Sequence, residues 1–208
     1  MSDPPRIETD GYTKTDEWTE VAFDAPFITV KSHNAVYERP TFRDRIADLL
    51  PAQIDQSPRA VFTTGLSFDP PLPGSETPEK LLGVASKYAS REFRKSLTED
   101  GLLDVTQTGS KDLRLRGRRT AKAFQYDAGY PLNPEAIDAT DPPQLSVRVW
   151  AAIWPTADVF EMGGGIYPLE DLSTALDRIG TGAAVEITSQ PGGDRREVFD
   201  RIREAADD

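Results

Sequence analysis

The sequence predicts an α+β fold, in which a largely antiparallel sheet of about six to seven strands is covered by three to four helices. Three observations favour this class. Short stretches of alternating apolar and polar residues follow one another closely, as neighbouring antiparallel strands do. Apolar residues recur at helical spacing in separate stretches between these strand runs. The 208 residues suffice for one two-layer core, and no repeat or second core divides the chain.

The first part of the chain is predicted to be a flexible tail over residues 1–16, because it is polar, contains two prolines and shows no periodicity. Residues 17–208 are then predicted to form a single domain. Alternation over residues 18–36 predicts strand, with Pro26 at a bulge or on an edge. His33, the only histidine, falls in a polar stretch and is predicted to be a turn residue.

A short helix is predicted at residues 41–51, a strand at 60–68, and a long helix that begins at Pro78 and ends at Gly101. Proline suits the first helical position, the carboxylate of Glu79 suits the positive end of the helix dipole, and glycine suits the C-terminal cap. Apolar residues recur along one face of this helix. Its other face carries basic residues, namely Lys80, Lys87, Arg91, Arg94 and Lys95.

A predicted hairpin follows the long helix. Residues 103–108 form its first strand, "GSKD" at 109–112 its turn, and "LRLRGRRTAKAF" at 113–124 its second strand. A register that keeps the apolar residues on one face places Asp104 opposite Arg118. The basic side chains of the second strand share its other face, and the first three span ~13 Å. This basic stripe consists of Arg114, Arg116, Arg118 and Lys122.

Several further elements complete the domain. A long acidic, proline-rich loop is predicted at residues 127–143, strands at 145–154, 158–162 and 183–188, and helices at 168–180 and 193–208. Trp150 and Trp154 lie on the side of their strand opposite Val147 and Val149. Either a helix covers them or they form an exposed aromatic patch, and the available amphipathic helices favour the covering helix.

The glycines at 163–165 suggest either a phosphate-binding loop or a close approach of backbones. A P-loop lysine is missing, and the predicted helix after the glycines begins with Pro168 and carries Glu170 and Asp171 in its first turn, which would repel an anion. A bulge or a tight backbone approach is therefore the favoured interpretation.

The composition is strongly acidic, with 21 Asp, 14 Glu, 17 Arg and only 7 Lys, and a net charge of −11. This balance resembles that of cytosolic proteins from salt-loving archaea, which implies a cytoplasmic protein adapted to molar salt. No apolar run predicts a membrane span or a signal peptide. The absence of cysteine excludes disulfides, thiolate metal sites and a cysteine nucleophile.

The order of strand runs and helices is similar to that of the PsbP-like sandwich, a fold shared by photosynthetic extrinsic subunits and Ran-binding relatives. This resemblance implies a fold and no function, since unrelated activities share such folds.

Charge is unevenly distributed along the chain. Residues 80–122 include eleven basic and five acidic residues, a net charge of +6, against −17 in the rest. This asymmetry predicts a non-catalytic interaction or accessory module whose basic helix–strand face binds an acidic protein partner, or less readily nucleic acid. A competing interpretation is that the arginines balance the protein's own acids.

The alternative function is a small-anion-binding protein or an enzyme, with a pocket between the basic strand and the glycines. No catalytic set, metal site or cofactor is predicted, because GxSxG and HExxH motifs are absent and the sequence has one histidine. The candidate binding residues for either function are Arg91, Arg94, Arg114, Arg116, Arg118, Lys122, Arg148, Trp150, Trp154 and Tyr167.

Overall fold

Seven strands and four α-helices make up the described part of the chain in the computed structural model. This part comprises residues 3–7, 11–50, 54, 56–71, 78–133, 143–157, 159–178 and 188–207. The strands β1 to β7 are Thr13–Ala25, Ile28–Glu38, Ala60–Asp69, Leu103–Arg114, Thr120–Pro131, Gln144–Pro155 and Phe160–Pro168. The helices α1 to α4 are Pro40–Ile46, Pro78–Glu99, Leu172–Asp177 and Pro191–Ala205. Short 3₁₀ segments occupy Ala47–Leu49 and Arg116–Arg118.

All seven strands belong to one antiparallel sheet with the order β1-β2-β3-β7-β6-β5-β4. Neighbours in space are mostly neighbours in the chain, which agrees with the predicted runs of adjacent strands. Among the described strands, only the neighbours β3 and β7 are far apart in the chain. The predicted α+β class is confirmed, and residues 183–187 of the strand expected at 183–188 lie outside the described residues.

The sheet is covered on both faces, so it carries two apolar clusters. On one face, Leu82 and Leu97 of α2 pack with Tyr126, Val149 and Ile153 of the sheet, together with residues of α1 and α3. We call this the α2 side. On the other face, the α4 side, the helix α4 packs on Trp150, Trp154, Tyr167 and neighbouring small residues. The prediction that a helix covers the two tryptophans is confirmed.

The predicted boundary of an N-terminal tail at residue 16 is wrong. The first strand begins at Thr13, and Ile7 and Tyr12 before it are buried in the α4-side cluster. Arg39 and Arg201 lie over the Tyr12 ring, at 5.0 and 5.5 Å from its centroid. Two isolated apolar side chains give no periodicity in the sequence, yet they complete one edge of this cluster.

The predicted loop over residues 127–143 is shorter than expected. Residues up to Pro131 continue β5, because Tyr126 and Tyr130 both bury their rings on the α2 side of the strand. The hydroxyl of Tyr130 donates to the Gln56 carbonyl at 2.6 Å. Acidic residues and prolines obscured this continuation, since both are depleted in strands. Residues 134–142 lie outside the described residues.

The turn of the β4–β5 hairpin is displaced from its predicted position. The first strand runs through "GSKD" to Arg114, and the chain reverses at Arg116–Arg118 instead. Gly117 adopts φ = 67°, which glycine accepts at little cost, and Arg114 pairs with Thr120. The predicted pairing of Asp104 with Arg118 is therefore wrong. This register places Leu113 in the α4-side cluster.

The glycines at 163–165 lie inside β7 rather than in a loop. A Cβ atom at Gly164 would lie 2.0 Å from the Trp150 carbonyl oxygen, and one at Gly165 would lie 2.8 Å from that of Ala60. The predicted tight approach of backbones is confirmed. The predicted helix from Pro168 is wrong at its start, because Pro168 is the last residue of β7 and α3 begins at Leu172.

Candidate functional site

The candidate basic residues do not share one face of the molecule. Arg91 and Arg94 are exposed on α2, and Lys122 points to the α2 side with Phe124 and Tyr126. The predicted basic stripe does not continue beyond Arg114, the last residue of β4, because Arg116 and Arg118 belong to the turn. The side chain of Arg118 lies outside the described residues. On the α4 side lie Arg148, Trp150, Trp154 and Tyr167.

Most of these cations have a nearby carboxylate. Arg91 contacts Glu92 at 2.9 Å, Arg116 contacts Asp207 at 3.2 Å, and Lys122 contacts Asp112 at 2.6 Å. Exposed ion pairs of this kind contribute about 0–1 kcal/mol each and leave little free charge for a partner. The interpretation that the arginines balance the protein's own acids therefore describes these residues well.

Arg148 makes the best-defined ion pair among the candidates. Its Nε and Nη2 atoms donate to the two carboxylate oxygens of Asp127 at 2.7 and 2.8 Å. Both side chains are half-buried on adjacent strands, and the hydrogen bonds that Arg148 donates to Asp127 raise the pKa of Arg148. The fork is a charge-assisted pair, so Arg148 has already used this part of its donor capacity.

The pocket expected between the basic strand and the glycines is filled by protein. Trp150, Trp154 and Tyr167 are 4%, 0% and 1% exposed, and the ring of Trp154 would contact a Cβ atom at Gly163 at 3.0 Å. The indole Nε1 of Trp154 donates to Glu161 at 2.9 Å. These aromatic side chains therefore act mainly as core.

A different group of cations lies where α4 meets the sheet. The Nζ atom of Lys111 is 3.8 Å from the centroid of the Phe199 ring and 4.9 Å from that of Trp150. The guanidinium carbon of Arg195 is 5.8 and 5.7 Å from the same two rings. We call Lys111, Arg195, Trp150 and Phe199 the cation–aromatic site.

Strand register and helix spacing create this site. Lys111 shares its parity in β4 with Leu113, so its side chain points to the α4 side. It pairs with Ala123, and Ala152 is next along the same row of the sheet, so small side chains leave room for the aromatic rings. On α4, Arg195, Phe199 and Arg203 follow each other at a spacing of four residues and share a face.

The two cations of the site are not neutralised by carboxylates, unlike Arg91, Lys122 and Arg148. In the part of the chain that the structure describes, neither Lys111 nor Arg195 has an acidic side chain within ion-pair distance. Burial, followed by the positive charges of Arg195 and Arg203, lowers the pKa of Lys111. The site is thus a local concentration of like charge in an acidic protein.

The indole of Trp150 adds a buried hydrogen-bond donor to the site. Its Nε1 atom is buried and has no hydrogen-bond partner in the part of the chain that the structure describes. The Tyr167 hydroxyl lies near this donor, since a hydrogen-bond interaction with Trp150 acts to lower the pKa of Tyr167. Burial raises the pKa of Tyr167, while Trp150, Arg148 and Arg195 act to lower it, which places the two arginines near the same hydroxyl. A buried N–H beside unpaired cations suits an anionic acceptor.

A polar cleft of about 640 Å³ opens at the other end of β5 and β6. It contains the carboxylates of Asp104 and Asp127, but Asp127 is bound by Arg148. Its lining cation, Arg178, bonds to Glu170 at 2.6 Å. Among the described residues that line it, the cleft therefore offers no unpaired cation to an anion. No group of three potential metal ligands occurs within the described ranges.

His33 lies in β2 rather than in the predicted turn, and its Nε2 atom is 2.9 Å from Glu17 Oε1. This contact joins the two strands of the first hairpin, since Glu17 is on β1. Four consecutive polar residues, 31–34, interrupt the apolar alternation here, so the sequence favoured a turn. A histidine–carboxylate pair alone supplies no nucleophile and indicates no reaction.

Sequence reasoning selected Trp150 for the site but missed Lys111, Arg195 and Phe199. The available signals were the shared parity of Lys111 with Leu113 and the four-residue spacing from Arg195 to Phe199. What the sequence could not show is that β4 and α4 meet, because they are far apart in the chain. The binding role of the remaining candidates stays a prediction.

Comparisons with known proteins add a family but no activity. No curated protein and no solved structure matches the chain. Within the described residues, none of the helices combines the length and apolar character needed to cross a membrane. The model of a family described as a domain of unknown function, DUF6517, matches residues 2–205. Because this match covers nearly the whole sequence, the chain belongs to the DUF6517 family.

Proposed function

We propose that the protein is a non-catalytic accessory module that binds an anionic group, a phosphate or a carboxylate, at the cation–aromatic site. The observation that carries this proposal is the pair of cations, Lys111 and Arg195, held against Trp150 and Phe199 without a carboxylate partner among the described residues. The anion can come from a small ligand or from an acidic segment of a partner protein, and both use the same chemistry.

The excess of acidic residues makes two neighbouring cations without a carboxylate partner evidence for an anion site. The sequence has 35 acidic residues for 24 basic ones, so carboxylates are plentiful. Lys122 and Arg148, on neighbouring strands, each bind one. Keeping two cations together without a carboxylate raises the electrostatic energy of the folded state unless an anion is bound. Stability is often lower where a site is built for a ligand.

The aromatic rings provide preorganisation. Cations over the faces of Trp150 and Phe199 are held by attraction to the ring quadrupoles, which restricts their otherwise mobile side chains. An anion then meets fixed positive charge, with less entropy lost on binding. The Nε1 donor of Trp150 supplies a directional hydrogen bond in addition to the charges.

The proposal includes a cytoplasm of high salt as the working environment. It is supported by the composition, in which Asp outnumbers Glu and Arg outnumbers Lys. At about 1 M salt the Debye length is about 3 Å, so attraction at a distance is screened and short contacts must provide the affinity. The cation–aromatic site meets this requirement, because its cations lie against two buried rings. The resemblance to the PsbP-like sandwich stays a prediction, supported by the order of the strand runs and helices.

Nuclear magnetic resonance of the tryptophan indole N–H groups tests the proposal directly, because the sequence has 3 tryptophans. Inorganic phosphate is added in molar KCl, and the Trp150 resonance is assigned with Trp150→Phe. We expect a saturable shift of that resonance. Lys111→Met and Arg195→Gln should each weaken phosphate binding about tenfold, the effect of one lost charge-assisted hydrogen bond.

Lys95→Gln is the matched control, since Lys95 is exposed on α2 and pairs with Glu99 at 3.4 Å. It should leave the phosphate affinity unchanged. A second titration with an oligo-glutamate peptide distinguishes a carboxylate-bearing partner from free phosphate. If neither probe shifts the Trp150 resonance, the proposed function is wrong. If Lys95→Gln weakens binding as much as Lys111→Met, the attraction is diffuse and the assigned site is wrong.

A further inference from the structure

We infer that Lys111 is a modification site, acylated by an anionic acyl donor of the acyl phosphate class, and that acylation turns off the cation–aromatic site. The inference rests on the proposed function, because the same cations that bind an anion would hold the phosphate of the donor. It assigns to this site a covalent regulation that reversible binding alone does not require.

The surroundings of Lys111 differ from those of three other described lysines, Lys14, Lys95 and Lys122. Lys14 and Lys122 each bind a carboxylate, Glu17 and Asp112, and Lys95 lies near Glu99. The Nζ atom of Lys111 instead faces two aromatic rings and two guanidinium groups. A carboxylate stabilises the protonated, unreactive ammonium, whereas aromatic walls and neighbouring cations favour the free amine. The pKa of Lys14 is raised by Glu17, and that of Lys111 is lowered.

The reaction needs no redox partner and no metal. The amine lone pair of Lys111 attacks the acyl carbon, and a new C–N bond forms. The bond from the acyl carbon to the phosphate oxygen breaks, inorganic phosphate leaves with the electron pair, and the amine proton passes to water or to the departing phosphate. Arg195, whose guanidinium lies over the same rings, is positioned to hold the donor's phosphate beside Nζ.

The product explains how the site would be switched. An amide at Nζ carries no charge, so it forms no cation–π interaction and binds an anion poorly. Arg195 alone then remains at the rings. Anion binding and acylation therefore oppose each other. Bound phosphate shields the amine from the acyl donor, and the acylated amine, which is uncharged, no longer attracts phosphate.

Competitive labelling of the full chain tests the inference, because its 7 lysines report side by side in one sample. Folded protein is treated briefly with acetyl phosphate, and a second sample with the uncharged N-hydroxysuccinimide ester of acetic acid. Mass spectrometry of peptides gives the rate at each lysine. We expect Lys111 to react several-fold faster than Lys95 with both reagents, and its advantage to be larger with acetyl phosphate.

Arg195→Gln separates recognition of the donor from reactivity of the amine. The variant should lower the ratio of the acetyl phosphate rate to the neutral-ester rate at Lys111, because a changed amine basicity affects both rates and cancels in the ratio. Arg196→Gln, on the same helix outside the site, should leave the ratio unchanged. The acetylated protein should show at least a severalfold weaker shift of the Trp150 indole on phosphate addition.

The outcomes distinguish this inference from the proposed function. If phosphate shifts the Trp150 resonance but Lys111 reacts no faster than Lys95 with the neutral ester, the inference is overturned and anion binding stands. A different result would overturn both proposals. In it, Lys111 reacts fastest with the neutral ester, the ratio of its acetyl phosphate rate to its neutral-ester rate is equal in the wild type and in Arg195→Gln, and phosphate does not shift the Trp150 resonance. The proposed function then fails, and the anionic donor is overturned with it.

Discussion

The rings of Trp150 and Phe199 lie 4.9 Å apart between centroids at an interplanar angle of 61°. This edge-to-face contact joins the centre of the sheet to α4, and both rings are almost fully buried. Such a pair contributes about 0.5–1.5 kcal/mol beyond the area that it buries. The same two rings carry the cations of the candidate site, so packing and ligand binding depend on one arrangement.

Phe199→Ala should lower the free energy of unfolding by about 3–5 kcal/mol, the range for removing a buried phenylalanine. Urea unfolding followed by tryptophan fluorescence measures the change. Phe27→Ala is the control, because Phe27 is 89% exposed in the turn of the first hairpin and should change the free energy by less than about 0.5 kcal/mol. Equal effects of the two substitutions would contradict the packing of α4 on the sheet.

Gly164→Ala should be severely destabilising, by about 3 kcal/mol or more, because its Cβ atom would lie 2.0 Å from the backbone carbonyl of Trp150. Backbone atoms of a central strand cannot move aside without breaking the β6–β7 pairing. Gly83→Ala is the matched control: no atom lies within 4 Å of its added Cβ, and it is inside α2. It should stabilise by about 0.5–1 kcal/mol. Thermal unfolding of both variants checks the contrast.

Stability should fall as the pH rises above the ordinary tyrosine pKa of 10.0. Burial raises the pKa of four described tyrosines, so above pH 10 the unfolded chain releases protons that the folded chain retains. Their contribution is complete below that pH and is lost at higher pH. The lowered pKa of Lys111 acts in the opposite direction, as one group against four. The tyrosines are Tyr12, Tyr126, Tyr130 and Tyr167.

Urea midpoints measured at about pH 8 and about pH 11 test this dependence. Tyr126→Phe should be less stable than the wild type at the lower pH, since Tyr126 loses its bond to the Ser90 carbonyl, but should show a shallower alkaline decline. A wild-type midpoint that stays constant over this range would show that the tyrosines ionise in the folded state.

Salt should stabilise the protein. With a net charge of −11, the compact chain repels itself at low ionic strength, and about 1 M KCl reduces the range of this repulsion to about 3 Å. The urea midpoint should therefore rise between roughly 0.1 and 1 M KCl. A midpoint that falls with added KCl would argue against adaptation to a salt-rich cytoplasm.

The sequence predicted best those elements whose ends carry chemical signals. Pro78 and Gly101 bounded α2, and the alternation of β6 correctly separated Trp150 from Val149. The turn of the β4–β5 hairpin was harder to predict. The stretch "GSKD" has the composition of a turn, but the glycine with positive φ that makes the turn is Gly117. Local composition and backbone geometry disagreed there, and the apolar row that includes Leu113 decided the register.

The candidate site was predictable only in part for a related reason. Trp150 could be selected from its parity, but its neighbours Lys111 and Arg195 come from the sheet edge and from α4. Periodicity indicates which way a side chain points and gives no information on which distant element meets it. The charge count over residues 80–122 also overstated the free positive charge, since Lys122 and Arg116 are paired locally or with distant acids.

The position of α4 in the chain has a consequence for biosynthesis. All seven strands precede it, and it supplies most of the helical cover for the α4 side. On the ribosome, the sheet can therefore assemble with Trp150 and Trp154 still facing water, and this apolar surface is open to chaperones until Phe199 and Ile202 emerge from the exit tunnel. The packing of α4 thus completes the fold, and the nascent chain is most prone to aggregation just before α4 covers the sheet.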